Sequence, residues 1–488
     1  MKRMSSTDTV AHEGRHAAQK TYPFRNYWTA PGGLSEALVP LPSKQDAELM
    51  IDKFFLHVDP LYPIIPQTVF RARVERFWAS SQESRNAADA IEVALIYGIL
   101  ATGRLFITDQ DSVDLVSPET FLSCAYRALC LSSFLSKWSL QSIQVLVPFC
   151  NYFVMNNRTA DSWTFSGIIQ KQAYGLGLHK LPPQTATVSE KQLRYRLWQA
   201  LMFQDVSLSY YLQLVPLTCQ HSIDASALSN VDEGDNRPGL RMQELLATGP
   251  VVSDLAFLTC QSDVSYVRAM WLFAKFMQVN ICLPGALARP VVRDSAHQAA
   301  LILELQGLYD GLDPPFNTTA FNNHEHRTWR QIIMVASNYH FAFTMLHLAE
   351  NAESDVQRDL HEALKASAKA MACFFTLIAA EPQHAAMWAP ANTRAYAQAV
   401  TIKKIFSLVE QQQQREEDPW LQLVKGDFDR YIDILVHTHG APGFEQLKKE
   451  RLSKLLDGQV RVRSIPERRE RLQECAFQRQ HTGFTLAT

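Results

Sequence analysis

The sequence has little cysteine. Eight cysteines stand in 488 residues, at positions 124, 130, 150, 219, 260, 282, 373 and 475. That is too sparse for a disulfide framework and points to a reducing compartment. No CxxC pair occurs, so a structural zinc site built from paired cysteines has no ligands. Breakers are scarce too: 19 glycines and 23 prolines, where an average chain holds ~12% of the two together. In a Leu/Ala-rich chain this favours helix. No strand alternation with hairpin turns and no repeat of fixed period is found. Charge of one sign is also lacking. With 47 Lys/Arg against 49 Asp/Glu the net charge is −2, so any nucleic-acid surface must be local. The most apolar stretches, such as Ile143 to Met155, are too short to cross a bilayer and carry polar residues. Met1 to Ser6 leads into polar sequence with no apolar h-region, so no secretory signal is expected. The sequons at Asn157 and Asn317 then carry no weight.

Catalytic signatures are absent as well. The sequence has no G-x-S-x-G elbow, P-loop, kinase signature or EF-hand loop. Gly175-Leu176-Gly177 lacks a third glycine and a preceding strand, and it closes a helix instead of opening one, so it reads as a cap. His324-Glu325-His326, with His340 and His347, has i, i+2 spacing where a zincin needs i, i+4. These read as isolated histidines near a helix start, and His437-Thr438-His439 reads as a helix end. No enzyme is expected.

What is present is helix. Hydrophobic residues make up 47%, enough for a large core. Residues 1 to about 45 read as a flexible arm. A helix from Asp46 stops at Asp59-Pro60-Leu61-Tyr62-Pro63-Ile64-Ile65-Pro66, where three prolines in seven residues enforce an extended loop lying against the core. Helices are expected at about 89–106, 118–135, 140–155 (kinked at Pro148), 161–178 and 189–213. After a loop at 224–250 come 263–282, 295–310, 328–350, 354–380, 393–414, 419–436 and 444–457. Tyr266, Met270, Phe273, Met277 and Ile281 form one apolar stripe, as do Leu193, Leu197, Leu201 and Leu208. The fold class is all-α, with an arm at 1–45, a helical body at 46–440 and a basic helical tail at 441–488. Stretch 447–479 holds ten Lys/Arg against five Asp/Glu. Lys448, Lys449, Arg451, Arg468, Arg469 and Arg471 are its candidate phosphate or nuclear-import contacts, although such mixed runs are commonly solvated helix faces.

Four segments share one resemblance. Phe54-Phe55-Leu56-His57-Val58-Asp59-Pro60-Leu61-Tyr62-Pro63-Ile64-Ile65 resembles the "YF-x-H-x-HP-L-FPIL" segment of fungal transcription factors. Ser142-Ile143-Gln144-Val145-Leu146 resembles "TIQAL". Trp163, Gly167, Ala173 and Leu176-Gly177-Leu178-His179-Lys180 resemble "W-x-x-x-G … A-x-x-LGLHR". Leu193-Arg194-Tyr195-Arg196-Leu197-Trp198 with Asp205 and Ser209 resembles "RRRLWW-x-x-x-x-DR-x-x-S". In order and separation they resemble the fungal-specific transcription factor domain, the middle homology region of binuclear zinc-cluster regulators. The resemblance implies an all-helical regulatory domain, a nuclear location, control of a metabolic or secondary-metabolite pathway, dimer contacts with another regulator and a small-molecule effector. Its motif positions here are Phe55, His57, Pro60, Pro63, Gln144, Trp163, Gly167, Gly177, Leu178, His179, Arg196, Trp198 and Asp205. Helical spacing gives most of these packing or cap roles. Gly167 is expected to let another helix approach closely.

The sequence also departs from the family. The family's zinc cluster uses six cysteines near its N-terminus, whereas the first cysteine here is Cys124. Zinc is expected of the family but not of these residues. Gln213-Leu214-Val215-Pro216 keeps only the proline of the usual Gly-Arg-Pro. Three readings follow: a nuclear regulator reaching DNA indirectly through a partner, a chain whose zinc-cluster exon lies upstream of the given start, or a cytosolic ligand-binding or biosynthetic helper of the same fold. No membrane association is expected.

Overall fold

The computed structural model describes residues 33–107, 115–212, 214–218, 261–287, 289–317, 324–349, 356, 358–384, 386–411, 419–440 and 442–456. Among them every regular element is helical, which makes the protein all-α. Two compact units are present where a single body over 46–440 was expected. The described part of the first comprises residues up to Tyr152 with Thr164–Leu201; the second comprises Phe153–Trp163, residues 202–218 and those from Ser262 on.

The first unit contains α1 (Leu34–Ala37), α2 (Lys44–His57), α3 (Gln67–Ala79), α4 (Gln82–Asn86), α5 (Ala90–Arg104) and α6 (Pro118–Leu131). It takes most of α7 (Leu140–Met155) and parts of α8 (Thr159–Gly175) and α9 (Val188–Leu212). Helix α5 is its centre. Asp89 caps it, accepting from the Ile91 N–H at 3.0 Å. Every residue from Val93 to Gly103 is buried, the mark of a helix enclosed on all sides. Helices α2 and α6 pack on it. The α2 contact is so close that a Cβ on Gly103 would stand 2.0 Å from the Met50 carbonyl oxygen. Ser139 and Ser142 cap α7 reciprocally: each hydroxyl accepts from the other's N–H, at 3.0 and 3.1 Å. The helix runs on through Pro148. Part of the expected arm is folded, since Leu34 and Ala37 are buried and the Trp78 indole donates to the Pro42 carbonyl at 3.4 Å. Helix α3 was not foreseen.

The second unit holds α10 (Gln261–Met277), which passes through a π-helical turn at Gln278–Cys282 into α11 (Leu283–Ala286). Then come α12 (Ser295–Asp310), α13 (His326–Leu348), α14 (Leu360–Ala380), α15 (Ala389–Gln411), α16 (Pro419–His437) and α17 (Pro442–Leu456). The expected stripe of α10, from Tyr266 to Ile281, is buried throughout. Helices α13 and α14 pack along each other, and α15, α16 and α17 complete a core around Met371, Phe374, Ile402, Tyr431 and Leu455. Helix α14 is long and apolar enough to cross a membrane, contrary to the expectation that the apolar stretches are too short; 67% of its apolar window is buried inside the protein, as in a core helix. The expected boundary at 441 is not a domain boundary, because Phe444 and Leu455 of α17 lie in this core. Residues 1–32, the loop 224–250 and the tail beyond 456 lie outside the described residues.

His340 on α13 is buried edge-on to Tyr309, with ring centroids 5.5 Å apart. Burial, aided by the Lys369 ammonium, holds its ring at about 3, well below the usual histidine range. The folded ring therefore stays neutral where an unfolded one takes a proton below about pH 6.5. Its contribution is full above that pH and is lost as pH falls, by about 2 kcal/mol at pH 5. Urea titrations at pH 7 and pH 5 are expected to show this loss in the wild type and a smaller one in His340→Leu.

Candidate functional site

The proline loop is the feature that the first unit is built to hold. Helix α2 ends at His57, whose buried ring stacks on Phe106 (4.6 Å, 8° between planes). Phe55 is buried beneath the Arg71 guanidinium, 5.4 Å from the ring centre. Asp59–Leu61 forms one 3-10 turn started by Pro60. Beyond it the backbone has no regular ladder, and buried carbonyls without helix or sheet partners need other donors. Two distant side chains supply them. Gln144 Nε2 donates to the Ile64 carbonyl at 2.7 Å, and an Arg196 guanidinium N–H donates to the Pro63 carbonyl at 3.1 Å. Both side chains are themselves buried. The structure thus brings Gln144 and Arg196 to the adjacent Ile64 and Pro63 carbonyls of one loop, 80 and 133 positions away in the chain.

The end of α8 is tied down as well. Gly177 takes φ +71°, a left-handed backbone that glycine adopts without strain. The Leu178 N–H donates to the Ala173 carbonyl (2.9 Å) and the Gly177 N–H to that of Tyr174 (3.0 Å), the two bonds of a Schellman cap. The cap reading of Gly175-Leu176-Gly177 is therefore correct, with Gly177 in the capping position. It delivers buried Leu178 and sets His179 against Tyr174, which also meets the buried Trp198 edge-on (5.0 and 5.7 Å). Arg194 clamps the end, donating to the Leu176 carbonyl at 3.2 Å while paired to Glu190 at 2.8 Å.

Two expectations need correction. Nothing lies within 4 Å of a Cβ placed on Gly167, so that glycine does not admit a neighbouring helix; in the first unit close approaches occur at Gly103 and at Gly175, where the Trp138 ring covers the backbone. Trp163 is only half-buried. Of the basic residues, Lys448 and Arg451 are buried and committed inside the protein. Lys448 pairs with Glu445 and donates to the Thr438 carbonyl, each at 2.8 Å. Arg451 donates to the Asn392 carbonyl (3.3 Å) and the Thr393 hydroxyl (3.0 Å) and lies over the Tyr396 ring. Lys449 is exposed; Arg468, Arg469 and Arg471 lie outside the described residues.

In the second unit Asp205 anchors the chain as it leaves α9. Its carboxylate accepts from the N–H groups of Leu217 (3.2 Å) and Thr218 (2.8 Å) and from the Thr218 hydroxyl (2.5 Å). A lone carboxylate is expected to cap a helix, so its role in a chain reversal twelve residues later was not legible. Gln172 was missed outright. It accepts from Ser142 Oγ (2.9 Å) and donates to the Phe134 carbonyl (3.0 Å), a pairing that no spacing in the sequence announces.

Gln144 and Arg196 each donate to a backbone carbonyl, and His57, His179 and Trp198 make ring contacts. What this arrangement does is fix one loop shape and one helix junction. Replacing Gln144 with leucine or Arg196 with methionine leaves a buried carbonyl without its donor, and each is expected to cost about 1–3 kcal/mol in urea denaturation. The double variant should cost less than the sum of the two if both donors hold the same loop. Truncation after 446 removes buried Arg451 and Leu455 and should lower the melting temperature measurably.

Residues 51–248 match the family model described as the fungal specific transcription factor domain. The four motif segments fall within that span. The chain is 27% identical over 203 residues to transcription factor opdR of Penicillium oxalicum, covering 41% of this chain and 25% of that protein. It is 26% identical over 209 residues to the C6 finger domain transcription factor adaR of Aspergillus niger, covering 40% of this chain and 25% of that protein. An uncharacterized transcriptional regulatory protein of Schizosaccharomyces pombe is 25% identical over 194 residues, 38% of this chain and 30% of its own length. The match therefore spans between a quarter and a third of the curated relatives. The family and these relatives are transcription regulators, not enzymes. Over residues 51–248 the chain is similar to the fungal specific transcription factor domain.

Proposed function

We propose that this protein is a nuclear transcriptional regulator of a metabolic or secondary-metabolite pathway, and that it reaches DNA through a partner regulator. The observation carrying this reading is the family match over 51–248, whose motif residues Pro63, Gln144 and Arg196 are joined in one clamp. Such a clamp holds the loop in one shape. Chromatin immunoprecipitation of the tagged chain in the fungus that encodes it tests the proposal. Enrichment at a discrete set of promoters is expected, while the recombinant chain alone shows no sequence-specific binding to the same DNA. A tagged protein confined to the cytosol would favour the ligand-binding helper. Transcript 5′ ends coding paired CxxC sequences in frame would replace the partner with a zinc cluster of the protein's own.

A further inference from the structure

The interior of the second unit holds two arginines that no carboxylate faces at ion-pair distance among the described residues. Arg394 on α15 is buried, with 7% of its surface exposed. Its terminal nitrogens donate to neutral groups, the Asn338 side-chain oxygen and, at 3.0 Å, the Met334 sulfur. Its Nε is buried and has no hydrogen-bond partner. Arg451, also buried, donates to the Thr393 hydroxyl beside it in sequence and to the Asn392 carbonyl. Among the described residues, neither arginine has a carboxylate within ion-pair distance. The acidic partners of this unit are committed elsewhere: Glu381 to Arg330, Asp263 to Arg327 and Glu445 to Lys448. A buried ion is normally paired, because leaving water uncompensated costs several kcal/mol.

A cavity lies against this charge. It lies between α13, α14 and α15, has a volume of about 30 Å³, and is lined by Arg394 and Gln398 together with Ser337, Cys373, Phe341 and Phe374. Gln398 is 1% exposed; its amide nitrogen donates to the Ser367 hydroxyl, and its oxygen has no partner. The Cys373 thiol cannot serve as counter-charge, because complete burial pushes it up to about 12. Ala391, in the first turn of α15, also lines the cavity, so the positive end of that helix is close by. The space suits one or two waters or a single small ion.

We propose that this cavity is a binding site for a small monovalent anion of halide size, held by the Arg394 guanidinium. The site is independent of the regulatory reading above. It makes the stability of the helical core respond to the anion. The probe is chloride, exchanged for gluconate at constant ionic strength with the full-length protein. In the wild type the melting temperature should rise with chloride by about 2–4 °C and then saturate. The ³⁵Cl NMR line should be broadened beyond buffer, and bromide should narrow it again. Arg394→Gln should abolish both responses, and Lys449→Gln, on the exposed face of α17, should keep both. If Arg394→Gln does not fold, the wild-type measurements alone decide. A wild-type melting temperature and ³⁵Cl linewidth indifferent to chloride would mean that the cavity holds only water, and would overturn the proposal. So would a chloride response undiminished in folded Arg394→Gln.

Discussion

Gly103→Ala is expected to destabilise the first unit by about 3 kcal/mol or more, and to lower its melting temperature by about 6–12 °C. Helix propensity alone predicts the opposite sign. Alanine within a helix is favoured over glycine by about 1 kcal/mol. Packing wins here because the new methyl group would stand 2.0 Å from the Met50 carbonyl oxygen, 2.9 Å from its carbon and 3.3 Å from the Phe54 nitrogen. These are backbone atoms of α2 and cannot rotate away, so α2 must move as a body. Its far end carries His57 and opens into the proline loop. The Gln144 and Arg196 bonds to that loop should therefore weaken with it. Gly167→Ala is the control. With nothing within 4 Å of the added carbon, it should be neutral or slightly stabilising. Thermal denaturation of the two variants side by side separates propensity from packing. Equal melting temperatures would mean that α2 and α5 are not in close contact.

Glu381→Ala should cost about 3–5 kcal/mol, the loss expected when one member of a buried ion pair is removed. Arg330 has a side chain only 1% exposed and Glu381 one 5% exposed. The guanidinium also lies over the Trp388 ring, 5.0 Å from its centre. Burial already pushes Arg330 down to about 10, against the pull of Glu381. Without the carboxylate the charge is left in a poorly solvated site. His326, whose Nδ1 accepts from Arg330 Nε at 3.1 Å, cannot replace it, because a protonated ring would repel the guanidinium. The pair need not be a net stabiliser. Arg330→Met with Glu381→Leu should recover most of the loss, since an apolar pair of similar volume avoids the desolvation of both ions. Chemical denaturation of the two single variants and the double variant measures this. A double variant as unstable as the sum of the singles would show that the two side chains act separately.

Much of this fold was legible in periodicity. The helices at 140–155 and 295–310 were placed at their observed ends, and most others within a few residues, because serine and aspartate caps and glycine stops mark them. Helix α3 was not legible. Its polar and basic residues, Gln67, Arg71, Arg73, Glu75 and Arg76, hide a stripe of only Phe70, Val74 and Phe77. The clamp was half legible. Each of Pro63, Gln144 and Arg196 was marked by its segment, yet their meeting is a tertiary fact with no local signal. The basic tail misled because charge in sequence does not disclose burial. The aliphatic stems of Lys448 and Arg451 pack inward, and their heads find carbonyls. The unpaired interior charge at Arg394 was equally invisible, since α15 reads as an ordinary amphipathic helix.

Transcript profiling of a strain lacking this chain tests its regulatory role most directly. The predicted result is a coherent set of genes whose expression changes on deletion, returns with the wild-type chain and does not return with Gly103→Ala. Unchanged transcripts in the deletion strain, under conditions where the protein is made, would contradict a role in transcription.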